Sequence, residues 1–455
     1  MAVGRPARPA DDDWDVAIVG GGPAGSAAAL ALRRLSDLRV CIVEPGQRQP
    51  FAVGESIPPD ARLDLERLGV WDRFAADGPL PCLGSCSAWG SDRLGHNDFL
   101  LSPYGPGWHL DRARLNRMLL DQAVARGATL IGGSRFAGRH QAGRRGHGLS
   151  LRGQGTGASA TITARFVIDA AGHGAAFART MGAVRATRDR LTVVCGFFDG
   201  AAAASPSRLT LLEAERDGWW YAAAIPNDQV IVAFATEAGT VRQAGLARPE
   251  AWLARCRATR HVAGRLAGCR FLPGSLTIRP ASSSILRPTA GRDWFAVGDS
   301  AATYDPISAA GIQKALADGS RAAAAVLTAA GGDANPGAAA AEYANDTETA
   351  FSEYEANRGY FYQQETRWPD SPFWIRRNLA PALLLTRTAA RPTGPVRPVR
   401  PVRPARSAAR PARPGRSVAA LGGVTTTGQC AWWVTWRYDC HRNSSVLCGL
   451  AVCDR

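Results

Sequence analysis

Lysine is nearly missing from this chain: among 455 residues Lys314 is the only one, and almost every positive charge is carried by arginine. Chemistry that needs a nucleophilic amine has one side chain to draw on, because a guanidinium stays protonated. No apolar run approaches the roughly 18 residues of a membrane span, so no membrane partner is expected. The opening stretch "MAVGRPARPADDDWD" lacks the apolar core of a secretion signal, and a cytoplasmic location is expected. Paired C-x2-C metal ligands are absent as well. Cys41, Cys82, Cys86, Cys195, Cys256 and Cys269 are scattered through the body and read as small buried hydrophobes of a reducing compartment. Cys430, Cys440, Cys448 and Cys453 crowd the end of the chain beside His441 without the spacing of a zinc site, so no metal is expected.

The net charge of +15 invites a nucleic-acid reading, but its distribution argues against one. Residues 391–455 hold eleven arginines and two aspartates, leaving a body that is only mildly basic. In that tail "RPTGPVRPVRPVRPARSAARPARPGR" alternates Pro and Arg without an apolar period, which predicts an extended, unpacked and dispensable segment. Neither a nucleic-acid partner nor an oligomeric state is read from the chain.

What is present near the N-terminus is a β-α-β unit. "WDVAIVGGGPAGSAAALALRRL" runs from a buried strand through a glycine turn into a helix, and "LRVCIVEP" is the next parallel strand, ending on Glu44. Gly20, Gly22 and Gly25 fit G-x-G-x-x-G, with Pro23 and Ala24 between them. Gly20 permits the tight turn, Gly22 lets a pyrophosphate approach the backbone, and Gly25 lets helix and strand pack closely. The phosphates meet the positive end of the helix and Glu44 accepts from a ribose. No second strand-linked copy exists, since Gly153, Gly155 and Gly157 lie in a polar turn.

Further along, "FAVGDSA" carries Gly298 and Asp299 after a hydrophobic run, and "YDPISAAGIQKAL" carries Pro306, Gly311 and Ile312 at the start of a helix. With Glu55 and Ser56 in "VGESIPP" and Arg112 in "HLDRARLN", this ordered series over about residues 20 to 320 resembles the halogenase and geranylgeranyl-reductase-like branch of the FAD-dependent monooxygenase family. Taken singly, Asp305-Pro306 is an ordinary turn and Arg112 an ordinary surface charge. The resemblance implies FAD as cofactor, with Asp299 near the ribityl chain and the Gly311 helix under the flavin ring. It also implies an α/β (α+β overall) fold, a Rossmann-like FAD-binding domain with an inserted antiparallel-sheet substrate domain, as in group A flavin monooxygenases. The expected boundaries are a disordered leader at 1–13, the FAD-binding domain at 14–185 and 285–335, the β-sheet domain at 186–284, a helical segment at 336–390, and the tail at 391–455.

In this family reduced FAD reacts with oxygen to give a peroxyflavin that survives where water is excluded. Electrons would come from NAD(P)H or a separate reductase. Halogenases add a lysine that captures hypohalous acid, and no lysine precedes Lys314. Their Gly-Trp-x-Trp-x-Ile-Pro signature is also altered: "DGWWYAAAIP" has Gly218 and Trp219, but Tyr221 replaces the second Trp, and alanines precede Ile225-Pro226. "VGESIPP", "SAWGSD", "GPGWHLDRARLN", "GWWYAAAIP" and "RWPDSPFW" together resemble flavoproteins that mature quinone-cofactor amine or amino-acid oxidases. That likeness implies hydroxylation of an aromatic group, either a small molecule or a tryptophan of a quinoprotein precursor, with alkene reduction and halogenation as alternatives. Trp89, His109, Trp219, Trp220 and Tyr221 are pocket candidates or core of the sheet, since alternate strand residues face inward in either case. His109 is the one acid-base candidate nominated.

Overall fold

The computed structural model describes residues 13–46, 51, 53–141, 146–155, 157–200, 207–331 and 335–378. They fall within one compact unit, Met1–Ala380; the second unit, Pro381–Arg455, and with it the Pro/Arg tail and its cysteines, lies outside the described residues, as does the leader up to residue 12.

A first sheet of eight strands runs in the order Ala290–Gly291, Trp294–Ala296, Ser159–Asp169, Asp13–Val19, Val40–Glu44, Thr129–Gly132, with His147–Gly153 and Ser134–Gln141 adding antiparallel ribbons onto Ser159–Asp169. Trp294–Ala296, Ser159–Asp169, Asp13–Val19, Val40–Glu44 and Thr129–Gly132 are mutually parallel. The central strands Asp13–Val19 and Val40–Glu44 are covered on both faces, which is why they read as apolar runs rather than alternating ones. Val16, Ile18 and Ile42 point into a cluster with helix Pro23–Leu35, while Ala17, Val19, Cys41 and Val43 point into another with Leu149 and Phe177.

The second sheet runs Arg270–Phe271, Leu191–Asp199, Gln229–Glu237, Gly218–Ile225, Leu209–Glu215, Gly84–Ala88, Gly95–Asp98, with Thr277–Pro280 also on Leu191–Asp199. All neighbours are antiparallel except Leu209–Glu215 with Gly84–Ala88. Gly84–Asp98 therefore joins this sheet from within the span expected to hold the cofactor. A small sheet of Ser56–Ile57, Gly107–His109 and Leu80–Cys82 ties the Glu55–Ser56 loop down.

Helix Gly311–Ala330 packs on helix Pro23–Leu35, and Gly319 makes this possible: a Cβ there would collide with the Ala24 carbonyl oxygen. Helix Arg112–Ala125 starts at Asp111, whose carboxylate accepts from Arg114 N at 2.9 Å and so satisfies an otherwise orphaned amide. Asp111→Ala is expected to cost about 1 kcal/mol in a urea melt, with a loss below a few tenths counting against the cap. Helices Pro336–Gln363 and Pro372–Asn378 complete the unit, the first capped by Asn335. No helix among the described residues is long and apolar enough to cross a membrane.

Candidate functional site

A cavity of about 680 Å³ is lined by residues of both sheets. Of the residues expected from sequence, Gly20, Gly22, Pro23, Ala24, Glu44, Glu55, Ser56, Arg112, Gly298, Asp299, Pro306, Gly311, Ile312, Trp219 and Tyr221 line it. Gly25, Trp220, Trp89 and His109 do not.

The glycine turn divides its labour as its geometry requires. Gly20 has φ +108°, a conformation open to glycine, and a Cβ there would strike the Ala170 carbonyl oxygen. A Cβ on Gly25 would strike the Gly20 carbonyl oxygen, so Gly25 serves packing and not the cavity wall. Gly22 meets nothing within 4 Å of its virtual Cβ. The space in front of Gly22 is thus a cradle that a side chain would fill, beside the N-terminus of helix Pro23–Leu35. Glu44 accepts from Gly21 N at 2.6 Å and Gly46 N at 3.0 Å, which holds its carboxylate at the end of strand Val40–Glu44. The donor set and the open cradle fit a dinucleotide such as FAD.

Arg112 closes this part of the wall. Its Nε donates to Asn116 Oδ1 at 3.0 Å and an Nη to the Gly54 carbonyl at 3.4 Å. Gly54 has φ +103°, and a Cβ there would lie 2.6 Å from that guanidinium. Burial lowers the Arg112 pKa, with Asp299 and Glu55 opposing the shift by their charge.

The sheet supplies the opposite wall through its period of two. Trp219 pairs across to Ala235 and Tyr221 to Ala233, and these alanines pair in turn to Val193 and Cys195. All six line the cavity, the two alanines leaving a hollow between larger groups. Trp220, between Trp219 and Tyr221, points to the other face and packs on Phe234 and Trp252. Trp89 contacts Trp219, Tyr362 and Trp374, and its Nε1 donates to the Phe361 carbonyl. His109 is wholly buried, 3.0 Å from Thr210 Oγ1, and burial lowers its pKa to about 4. It does not line the cavity.

Polar tethers fix both wall rings. The Tyr221 hydroxyl is 2.7 Å from Ser56 Oγ. Trp219 Nε1 donates to Tyr362 OH at 3.0 Å, which donates to Asp305 Oδ2 at 2.8 Å. Asp305 is fully buried; burial raises its pKa, offset chiefly by Arg358, whose Nε lies 3.1 Å away. Arg358 also reaches Asp189 at 3.0 Å. Sequence reasoning missed Tyr362 and Arg358 altogether. The signal was faint, two residues on one face of a long helix, far along the chain from the sites they brace.

Lys314 lines the cavity, but its Nζ donates to the Gly298 carbonyl and to Asp318 Oδ2, both at 2.8 Å. Asp318 also accepts from Gly298 N at 3.1 Å and pairs with Arg321. Its carboxyl pKa is lowered against its burial, Lys314 and Arg321 outweighing desolvation. The six body cysteines are free thiols, and no group of three or more potential metal ligands occurs among the described residues.

A family model described as an FAD binding domain matches residues 13–348. A Marinomonas mediterranea protein named, provisionally, the FAD-dependent oxidoreductase LodB is 26% identical over 377 residues, covering 82% of this chain and 99% of the relative. The crystal structure of CmlS, a flavin-dependent halogenase, superposes with a TM-score of 0.71 at 26% identity, over 82% of this chain and 68% of that one. QhpG, described as a peptidyl tryptophan dihydroxylase essential for tryptophylquinone cofactor biogenesis, shares the fold with a TM-score of 0.64 at 24% identity, over 80% of this chain and 78% of that one.

Proposed function

The chain belongs to the FAD binding domain family and is an FAD-dependent oxidoreductase, and from that premise we propose that it is a monooxygenase acting on an aromatic, tryptophan-like group. The observation that carries this reading is the single cavity that runs from the glycine turn and Glu44 to a wall made by Trp219 and Tyr221. Bound FAD, once reduced, supplies the electron pair with which one atom of dioxygen enters a ring C–H bond and the other leaves as water. The protein's own residues bind and orient. Gly20, Gly22, Pro23, Ala24 and Glu44, with Arg112, Gly298, Asp299, Pro306, Gly311 and Ile312 along the same cavity, would hold the cofactor. Trp219 and Tyr221, their polar atoms already tethered, would border the substrate.

The engagement of Lys314 by Asp318 and the Gly298 carbonyl supports oxygenation over halide transfer, since no other amine is available. Halogenation is the second reading, favoured by the likeness to CmlS; alkene reduction is not supported by the relatives described. The likeness to QhpG supports a tryptophan of a quinoprotein precursor as the natural substrate, with a small aromatic molecule as the other class. Electrons come from NAD(P)H or from a separate reductase.

The test is to reduce the FAD-loaded protein anaerobically, admit isotopically heavy dioxygen with indole and bromide present, and analyse products by mass spectrometry. Heavy oxygen on the ring is expected. Hydrogen peroxide as the sole product with indole, together with no oxygen added to a co-expressed quinoprotein precursor, removes the oxygenase reading, and bromoindole replaces it with the second one. Mass spectrometry of a co-expressed quinoprotein precursor then asks whether oxygen is added to one of its tryptophans.

A further inference from the structure

Glu55 is a carboxylic acid with one oxygen left unanswered. The residue is 5% exposed, lines the cavity, and its Oε1 has no hydrogen-bond partner among the described residues. A buried polar atom left unpaired carries a desolvation penalty, so a ligand that reaches this oxygen offsets it. The backbone around it is held. Leu110 N donates to the Glu55 carbonyl at 2.7 Å, and Ser56 pairs in register with His109.

The Gly54 and Glu55 amides bond to this carboxyl, and the charged or titratable groups that act on it by charge come from three elements. Arg112 opens helix Arg112–Ala125, Cys195 lies on strand Leu191–Asp199 and Tyr221 on strand Gly218–Ile225. Burial raises the pKa of both Cys195 and Tyr221, so neither carries charge near neutral pH, and Arg112 is the cation of the set. Desolvation outweighs Arg112 and pushes the Glu55 carboxyl up to about 8. Sequence placed Glu55 with the cofactor ligands, yet two of its three charged or titratable neighbours belong to the sheet wall.

Resting on the aromatic-substrate reading above, we propose that Glu55 is the polar recognition group of the cavity's aromatic end, accepting a hydrogen bond from the ring N–H of an indole-type substrate. As a neutral acid it accepts through its carbonyl oxygen. Once ionised it accepts more strongly, because a bond to a charged acceptor is roughly twice as strong. Discrimination follows from the same asymmetry: an isostere without the N–H leaves the buried oxygen unpaired.

Calorimetric titration of the FAD-loaded full chain with indole and with 1-benzothiophene, which has the same shape and no N–H, tests this from about pH 6.5 to about pH 9.5. Indole is expected to bind on the order of 10-fold more tightly, with the margin widening as pH rises through about 8. Glu55→Gln keeps a carbonyl acceptor and is expected to keep the preference while losing its pH dependence; Glu55→Leu is expected to equalise the two ligands. Equal affinities in the unaltered protein overturn the proposal without recourse to either variant. So does a preference that survives Glu55→Leu, or a pH dependence that survives Glu55→Gln. In those cases binding persists and the aromatic-substrate reading stands. If neither ligand binds at any pH, that reading falls and this inference with it.

Discussion

Leucine at Gly22 is expected to yield a folded protein that does not retain FAD. The backbone there has φ −69° and ψ −174°, open to any residue, and a Cβ meets nothing within 4 Å. The added side chain would occupy the space the pyrophosphate needs, beside amides that would otherwise donate to it. A loss of at least 100-fold in FAD affinity, about 2.7 kcal/mol, is expected, with unchanged far-ultraviolet circular dichroism. Gly25→Leu and Gly20→Leu should differ in kind, because their side chains would strike the Gly20 and Ala170 carbonyl oxygens and the turn itself must give. Protein from these two is expected to be poorly folded. A yellow Gly22→Leu protein with a stoichiometric flavin absorbance would show that the cofactor lies elsewhere.

The second large effect is expected at Arg358. Its guanidinium is 12% exposed and bridges Asp189 and the fully buried Asp305. Removing one member of a buried ion pair strands the other, typically at about 3–5 kcal/mol. Arg358→Leu should lose stability in that range by guanidinium denaturation. Arg358→Lys should recover only part of it, since an ammonium lacks the planar fork that spans both carboxylates. Because Asp305 also accepts from Tyr362, and Tyr362 from Trp219, the Arg358 variant should disturb the aromatic wall as well. Tyr362→Phe, which breaks that chain but leaves the ion pair, is expected to cost about 1 kcal/mol. If Arg358→Leu costs no more than Tyr362→Phe, the ion pair is not what holds the Asp305 loop.

The dinucleotide unit was legible because its constraints are local. Gly20, Gly22 and Gly25 answer to backbone conformations and contacts within a few residues or one neighbouring strand, and Glu44 ends the next strand of the same β-α-β unit. The expected cofactor series converges on one cavity, except that Gly25 serves packing behind it. The aromatic stretch "GWWYAAAI" was legible as a strand and ambiguous as a wall. Alternation says that Trp219 and Tyr221 share a face and Trp220 takes the other, but not which face meets the cavity.

That choice belongs to the tertiary structure. Trp219 and Tyr221 face the cavity because the opposite side of the sheet is taken by Trp220, Phe234 and Trp252 packed in a core. The pairing of Gly84–Ala88 beside Leu209–Glu215, the reach of Tyr362 and Arg358 to Asp305, and the capture of Lys314 by Asp318 and Gly298 are likewise invisible in one dimension. So is the burial that raises the Glu55 pKa. The sequence by itself determined the cofactor unit, through residue types demanded by a tight turn and a close approach. Only the tertiary structure decided the aromatic end of the cavity, because desolvation and ion pairing depend on which surfaces the fold brings together, over separations that no spacing rule covers.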